Sequence, residues 1–322
     1  MKLSVIMPMY NVEKYVEEAF ISIANQLTNE VELLIVDDGS IDTSLTLVEN
    51  MVNRFLDKHI RILKKENGGL SDARNYGFNH AVGEYVWFFD SDDVMPSHSI
   101  DNILSILEND VDLVHFNVNK FLDGKKIEEQ TSKLRICKLE KEELLEKLFA
   151  NKFPSYAVSY IVKKNILKIN NFSFPVGRLY EDIFSTFLVF NMIDTSVEIM
   201  NFTPYFYRSN ADSITKTISM KSLVDRLDAI DLLINFIKDK PYLSWTFIGH
   251  ILAYVSFDAF NLSNNQEKLE IYKRIIKVRK LVQKNLLFSD RYKFNIIYLG
   301  GKSWVIRSLW LQLRKVKNNF NE

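Results

Sequence analysis

The chain has 322 residues, of which 47% are hydrophobic, and its 41 basic side chains equal its 41 acidic ones. This composition supplies enough apolar material for a core and excludes a disordered chain. The balanced charge gives no reason to expect nucleic acid as a partner. A single cysteine, Cys137, excludes an internal disulfide framework and fits a reducing compartment.

The N-terminal apolar run, residues 1–8, is too short for a signal peptide and lacks a cleavage site. Nowhere do about 18 apolar residues follow one another without a charge, as a membrane-spanning helix requires. We therefore expect a cytoplasmic protein without a spanning helix.

The first 93 residues alternate between strand and helix patterns. Runs rich in branched and aromatic residues predict strands at Leu3–Met9, Val31–Val36, Ile60–Leu63 and Tyr85–Phe89. Apolar residues at helical spacing lie between the first strands: Val12, Val16, Phe20, Ile23 and Leu27, then Leu45, Val48, Val52 and Phe55. Right-handed crossovers turn this alternation into a mostly parallel sheet covered by helices on both faces.

The pattern becomes less regular after Val111, with a further strand predicted over Val111–Val118. Beyond Thr215 it is helical almost throughout. We therefore predict an α/β domain over residues 1–215 and a helical region over residues 216–322.

Each of the first four predicted strands leads into an unusual polar cluster. The clusters are Pro8–Asn11, Asp37–Ser40, Asn67–Gly69 and Asp90–Asp93. Because ligands bind at the carboxyl ends of strands in an open parallel sheet, the agreement of all four clusters predicts a binding site along that edge.

The fourth cluster places Asp90, Asp92 and Asp93 directly after an apolar strand. Three carboxylates at a half-buried strand end repel one another unless a cation compensates them. Mg²⁺ and Mn²⁺ favour such oxygen ligands and are typically held by one or two carboxylates together with substrate phosphates. The alternative is a solvated acidic turn that caps the helix after Pro96.

Two other clusters also have structural interpretations. Ser40 or Asp42 could cap the following helix while Asp38 points into the site. The loop Asn67–Gly69 runs into a predicted helix whose first amides suit an anion, and Arg74 could reach a phosphate or a base. The glycine pair alone also fits an ordinary turn.

Four segments in this order and spacing, SVIMPMYN, VDDGSID, NGGLSDARNYG and FFDSDD, resemble the family 2 glycosyltransferases with the GT-A fold. The resemblance covers the first third of the chain and extends more weakly to about Thr215 through LYEDIF and YRSNADSIT. It implies a Rossmann-like, mostly parallel sheet flanked by helices. Glu181 and Asp182 fall where the family has its catalytic carboxylate.

The resemblance also implies roles for individual residues. The nucleotide pocket would be lined by Pro8, Tyr10, Asp38, Asn67 and Arg74. Asp38 would face the base, Asp90 would lie by the ribose and base, and Arg208 would lie near a loop that closes over the donor. Asp92 would bind the metal, Mn²⁺ or Mg²⁺, with Asp93 as a further metal, second-layer or acceptor contact. Asp182 would be the general base.

The expected reaction is transfer of a sugar, with inversion, from a nucleoside-diphosphate donor to an acceptor hydroxyl. The resemblance suggests a UDP-sugar donor and a glycan or lipid-linked glycan acceptor in bacterial surface-polysaccharide synthesis. An ordinary helix N-terminus is the alternative for Glu181 and Asp182, since Ile183, Phe187 and Phe190 continue at helical spacing.

Two other functions compete with this one. A sugar nucleotidyltransferase would open with a glycine-rich basic loop after strand one, where this chain has Met9–Val12. A catalytically silent nucleotide-sugar-binding partner of another transferase would lack a metal or base carboxylate, and this chain retains all of them.

Residues 302–317 combine basic and aromatic side chains. Arg307, Arg314 and Lys317 share one helical face, and Trp304 and Trp310 lie largely elsewhere. This pattern predicts either an interfacial helix at the inner face of the cell membrane or a terminal helix docked on the body or on the second subunit of a homodimer.

Overall fold

The computed structural model describes residues 1–123, 134–209, 218–259, 261–262 and 265–286. The chain divides into two compact units, residues 1–144 with 154–211 and residues 145–153 with 212–322. The second unit thus includes the short segment 145–153, which the sequence pattern did not assign to it.

The described part of the first unit contains ten strands. They are β1 Leu3–Met9, β2 Val31–Asp37, β3 Ile60–Lys64, β4 Tyr85–Phe88, β5 Leu113–Phe116, β6 Asn119–Leu122, β7 Ile136–Glu140, β8 Tyr160–Lys163, β9 Thr195–Ile199 and β10 Phe206–Ser209. Eight of them form one sheet in the order β3-β2-β1-β4-β8-β5-β9-β7, and β10 pairs with β6 in a small second sheet.

The large sheet is mostly parallel. Strand β1 pairs in parallel with β2 and β4, β2 with β3, and β5 with β9. Strand β8 runs antiparallel between β4 and β5, and β7 runs antiparallel to β9. The predicted α/β fold is confirmed, and the carboxyl ends of β1 to β4 lie at one edge.

Helices lie between these strands along the chain. They are α1 Val16–Ala24, α2 Ser44–Val52, α3 Leu70–His80, α4 Ser99–Leu107, α5 Lys141–Phe149, α6 Lys164–Ile169 and α7 Asp182–Met192, with a short 3-10 helix at Ala157–Ser159. All seven residues of β1 and of β2 are buried, as expected for parallel strands covered on both faces. On α1, Val16, Phe20 and Ile23 bury the predicted apolar face.

Helix α3 lies close to the sheet because Gly77 has no side chain. A Cβ atom at Gly77 would come within 2.4 Å of Cγ2 of Ile6 and 3.0 Å of Cγ2 of Val36. This close approach fixes the helix that carries Arg74 directly over β1 and β2.

The described part of the second unit contains α8 Met220–Ile237, α9 Thr246–Ala259 and α10 Asn265–Asn285. Ser219 begins α8 with a capping box, because its hydroxyl accepts from Ser222 N and the Ser222 hydroxyl accepts from Ser219 N, both at 3.1 Å. Phe149 stacks on Phe236 at a centroid distance of 6.2 Å.

Within the described residues no helix is long and apolar enough to cross a membrane. The basic aromatic segment predicted over residues 302–317 lies outside the described residues. Both of its interpretations therefore stay predictions.

We expect Gly77→Ala to lower the free energy of unfolding by about 1 kcal/mol, because overpacking costs roughly 1–3 kcal/mol and the gain in helix propensity offsets about 1 kcal/mol of that cost. Urea denaturation measures the change. Asn79→Ala, on the exposed face of the same helix, is the matched control and should leave stability within about 0.5 kcal/mol. A Gly77→Ala protein as stable as the wild type would contradict the close packing.

Candidate active site

Asp93 fixes the acidic turn after β4, residues 90–93, through hydrogen bonds to the protein interior. This residue is fully buried, and its carboxylate accepts hydrogen bonds from the hydroxyl of Tyr205 and from Arg208 N, the latter at 2.7 Å. Burial, followed by the charges of Asp92 and Asp90, raises the pKa of Asp93 well above its usual value. In this structure both oxygens of Asp93 bond to the protein itself, and its metal role stays a prediction.

Arg208 holds the main chain of the same turn. Its side chain is 2% exposed, and Nε donates to the carbonyl of Asp92 at 2.8 Å. The guanidinium also pairs with Glu18 at 2.5 Å and with Asp123, and it lies 4.7 Å from the ring centroid of Phe121. Arg208 is therefore fixed against the turn that carries Asp92.

The segment that follows Arg208, residues 210–217, lies outside the described residues. A loop that closes over the donor from this position stays a prediction.

Arg74 joins the acidic turn to the predicted base segment. Its side chain is 3% exposed, Nη2 donates to Asp90 at 2.8 Å, and Nη1 donates to Glu181 at 2.5 Å. Burial alone would lower the pKa of Arg74, but the two carboxylates raise it above its ordinary value. The contact brings together two segments that lie 107 residues apart in the chain.

Asp182 is the first residue of α7 and is half-buried. Burial and the neighbouring Glu181 carboxylate raise the pKa of Asp182 to about 7, although Arg74 acts in the opposite direction. A carboxylate with a pKa near the working pH is well suited to accept a proton and later release it. The sequence predicted the residue, and its tertiary environment accounts for the pKa.

Asp38 is hydrogen-bonded to the loop at residues 67–69, which leads into α3. Its carboxylate accepts from Gly68 N at 2.9 Å and from Gly69 N at 2.7 Å, and Asn67 Nδ2 donates to its carbonyl at 3.0 Å. Gly69 has a φ of 87°, which favours glycine at this turn. The amides expected to bind an anion thus contact a carboxylate of the protein in this structure.

Lys65 is a site residue that sequence reasoning missed. Its ammonium pairs with Asp38 at 2.5 Å and with Asp72 at 2.6 Å, and its side chain is only 12% exposed. The available signal was a lysine directly after β3 and two residues before the Asn67–Gly69 loop. Lys65 balances the buried charge of Asp38.

The other predicted pocket residues lie at the same carboxyl edge. Pro8 is buried in β1 opposite Val36, and Tyr10, just after β1, is 46% exposed. Asn67 is also exposed. Tyr10 and Asn67 therefore present side chains to solvent where strands β1 and β3 end.

The carboxylates of the acidic turn suit a hard divalent cation in their chemistry. Among the residues that the structure describes, no group of three or more His, Cys, Asp or Glu side chains is arranged to hold a metal ion. Magnesium and manganese sites with one or two carboxylates, completed by substrate phosphates and water, need no such group. Asp92, half-buried on the turn, fits this kind of site.

Comparison with known proteins identifies the family. The model of the glycosyl transferase family 2 domain matches residues 4–167, which is half of the chain. The chain belongs to glycosyl transferase family 2. The matched residues include all four polar clusters and Arg74, and the match ends before Glu181.

Two curated relatives of this family 2 chain come from Bacillus subtilis (strain 168). The uncharacterized glycosyltransferase EpsJ is 31% identical over 219 residues, which cover 66% of this chain and 63% of EpsJ. The minor teichoic acid biosynthesis protein GgaB is 34% identical over 174 residues, which cover 51% of this chain and 18% of GgaB. The matched part thus spans less than two thirds of either relative.

Solved structures show the same fold. Residues 1–349 of Staphylococcus aureus TarS, in complex with UDP-GlcNAc, superpose with a TM-score of 0.67 at 20% identity, covering 94% of this chain and 90% of that one. The mannosyltransferase PcManGT from Pyrobaculum calidifontis, in complex with GDP-Man and Mn²⁺, gives a TM-score of 0.56 at 16% identity, covering 96% and 87%. These likenesses confirm the predicted GT-A fold of this family 2 chain.

Proposed function

We propose that this protein transfers a sugar, with inversion, from a UDP-sugar to a hydroxyl of a glycan or lipid-linked glycan acceptor. The observation that carries the proposal is the contact of one guanidinium, Arg74, with both Asp90 and Glu181. That contact brings the acidic turn, suited to a metal and a diphosphate, beside the segment that holds Asp182. A metal-assisted displacement at an anomeric carbon with a carboxylate as base uses these two kinds of carboxylate around one substrate.

Asp182 would serve as the general base. The acceptor oxygen attacks the anomeric carbon from the face opposite the diphosphate, and the bond to the diphosphate breaks with its electron pair. The acceptor proton passes to the Asp182 carboxylate, whose pKa of about 7 matches neutral conditions. No covalent intermediate with the protein is required.

Asp92 would hold Mn²⁺ or Mg²⁺. Such an ion, when bound, acts as a Lewis acid that offsets the charge developing on the leaving diphosphate. Arg208 and the buried Asp93 would keep Asp92 in place, since both fix the main chain of its turn.

The donor would lie along the carboxyl edge formed by β1 to β4. Tyr10 and Asn67 are exposed there, next to Pro8 and Asp38. The complexes of TarS with UDP-GlcNAc and of PcManGT with GDP-Man and Mn²⁺ support a nucleoside-diphosphate sugar as donor. The similarity to GgaB, a teichoic acid biosynthesis protein, supports a bacterial surface polymer as the product.

Asp182→Asn should lower sugar transfer and donor hydrolysis by about 10²- to 10⁴-fold, because the variant cannot accept the proton. Release of UDP from a panel of UDP-sugars measures the rate, and calorimetry should show UDP affinity within about twofold of wild type, because the proton acceptor is not needed to bind the nucleotide. Asp101→Asn, on the exposed side of α4, is the matched control. Wild-type turnover in the Asp182 variant would refute its assignment as the base.

The pH profile provides an independent check of the base. The active form of Asp182 is ionised, so kcat/KM should rise about tenfold per pH unit below its pKa of about 7 and level off above it. The residual activity of Asp182→Asn should lack this rise. A flat wild-type profile across pH 7 would show that another group accepts the proton.

Asp92→Ala should abolish the manganese stimulation of donor hydrolysis, because the ion loses its protein ligand. A manganese titration of the hydrolysis rate and of UDP affinity by calorimetry tests this. Asp57→Ala, at a side chain that is 77% exposed, should respond to manganese as wild type does. An unchanged manganese response in Asp92→Ala would place the metal elsewhere.

A further inference from the structure

The segment before the predicted base is attached to helix α3 by one amide side chain. Nδ2 of Asn75 donates to the carbonyl of Phe174 at 2.9 Å, and Phe174 N donates to Oδ1 of Asn75 at 2.8 Å. Asn75 therefore satisfies both peptide groups of a residue that lies 99 positions later in the chain.

The ring of Phe174 is held at the same place. It is 1% exposed and meets Phe88 of β4 edge-on at a centroid distance of 4.9 Å. The guanidinium of Arg74 lies 5.4 Å from the centre of the same ring. Two consecutive residues of α3 thus fix Phe174, Asn75 through its backbone and Arg74 through its ring.

A second attachment lies at the far end of this segment, where Arg74 pairs with Glu181. Between the two attachments, Gly177 and Tyr180 have φ values of 76° and 58°. The left-handed conformation is unfavourable for Tyr180 and persists where surrounding contacts determine the backbone. Contacts at both ends of the segment from Phe174 to Glu181 thus contribute to its conformation.

We propose that Arg74 and Asn75 are positioning residues, which hold the Asp182 carboxylate at the acceptor hydroxyl through Glu181 and Phe174. The inference rests on the proposed function and deepens it. Helix α3 begins at the Gly68–Gly69 loop, whose amides donate to Asp38. The helix therefore links the carboxyl edge of β1 to β4, where the donor would lie, to the segment that holds Asp182. Both of these hydrogen bonds of the Asn75 side chain go to Phe174 and not to the acidic turn or Asp38, so its loss should reduce kcat and spare donor binding.

Asn75→Ala tests the proposal in the 322-residue chain. We expect kcat for release of UDP from a UDP-sugar to fall about 10- to 100-fold, because displacement of a catalytic group by about 1 Å can cost 10²-fold in rate. The KM for the UDP-sugar should stay within about twofold of wild type. Asn75→Asp places a carboxylate oxygen, which can only accept, against the Phe174 carbonyl, so its kcat should fall at least as far as that of Asn75→Ala. An equal loss in kcat and in donor affinity would overturn the positioning role.

A double-mutant comparison separates this role from general instability. If Asn75 acts through Asp182, adding Asn75→Ala to Asp182→Asn should cause no further loss, whereas multiplicative losses would contradict the proposal. Val48→Ala, a core change in α2, is the stability control and should keep wild-type kcat at a matched melting temperature. A parallel loss in Val48→Ala would also overturn the positioning role. Full activity of Asp182→Asn alone would instead refute the proposed base.

Discussion

The buried guanidinium of Arg74 is the interaction on which the candidate site depends. A charge that is withdrawn from water needs partners, because an unpaired buried charge is strongly destabilising. Asp90 and Glu181 provide the two partners from segments that are far apart in the chain. The acidic turn and the base segment are therefore stable together, because each helps to neutralise the same cation.

The carboxylates around this cation have different environments and hence different roles. Asp93 is fully buried and bonded to the protein, so it fixes the turn, whereas Asp38 is bonded by amides and Lys65 and fixes the loop before α3. Burial and the adjacent Glu181 carboxylate raise the pKa of Asp182 to about 7. The same chemical group thus anchors the backbone in two places and is suited to proton transfer in the third.

Local patterns predicted much of the fold and the sheet edge at which the candidate site lies. Alternation of strand and helix periods indicated β1 to β4 and the helices between them, since both periods depend on neighbouring residues. The polar clusters at the strand ends indicated the carboxyl edge because parallel strands share that edge. The helical character of the second unit was also predictable, whereas the inclusion of residues 145–153 was not.

The sequence by itself determined which chemical groups are available and which edge of the sheet presents most of them. Tertiary structure alone decided that Arg74 meets Glu181, that Lys65 neutralises Asp38, and that Asn75 holds the backbone of Phe174. Two of these contacts join residues that are remote in the chain. Each of the three pairs a charged or polar group that is largely withdrawn from water and therefore needs a partner. No periodicity along the sequence encodes such distances, because they follow from the packing of α3 and the base segment on the sheet.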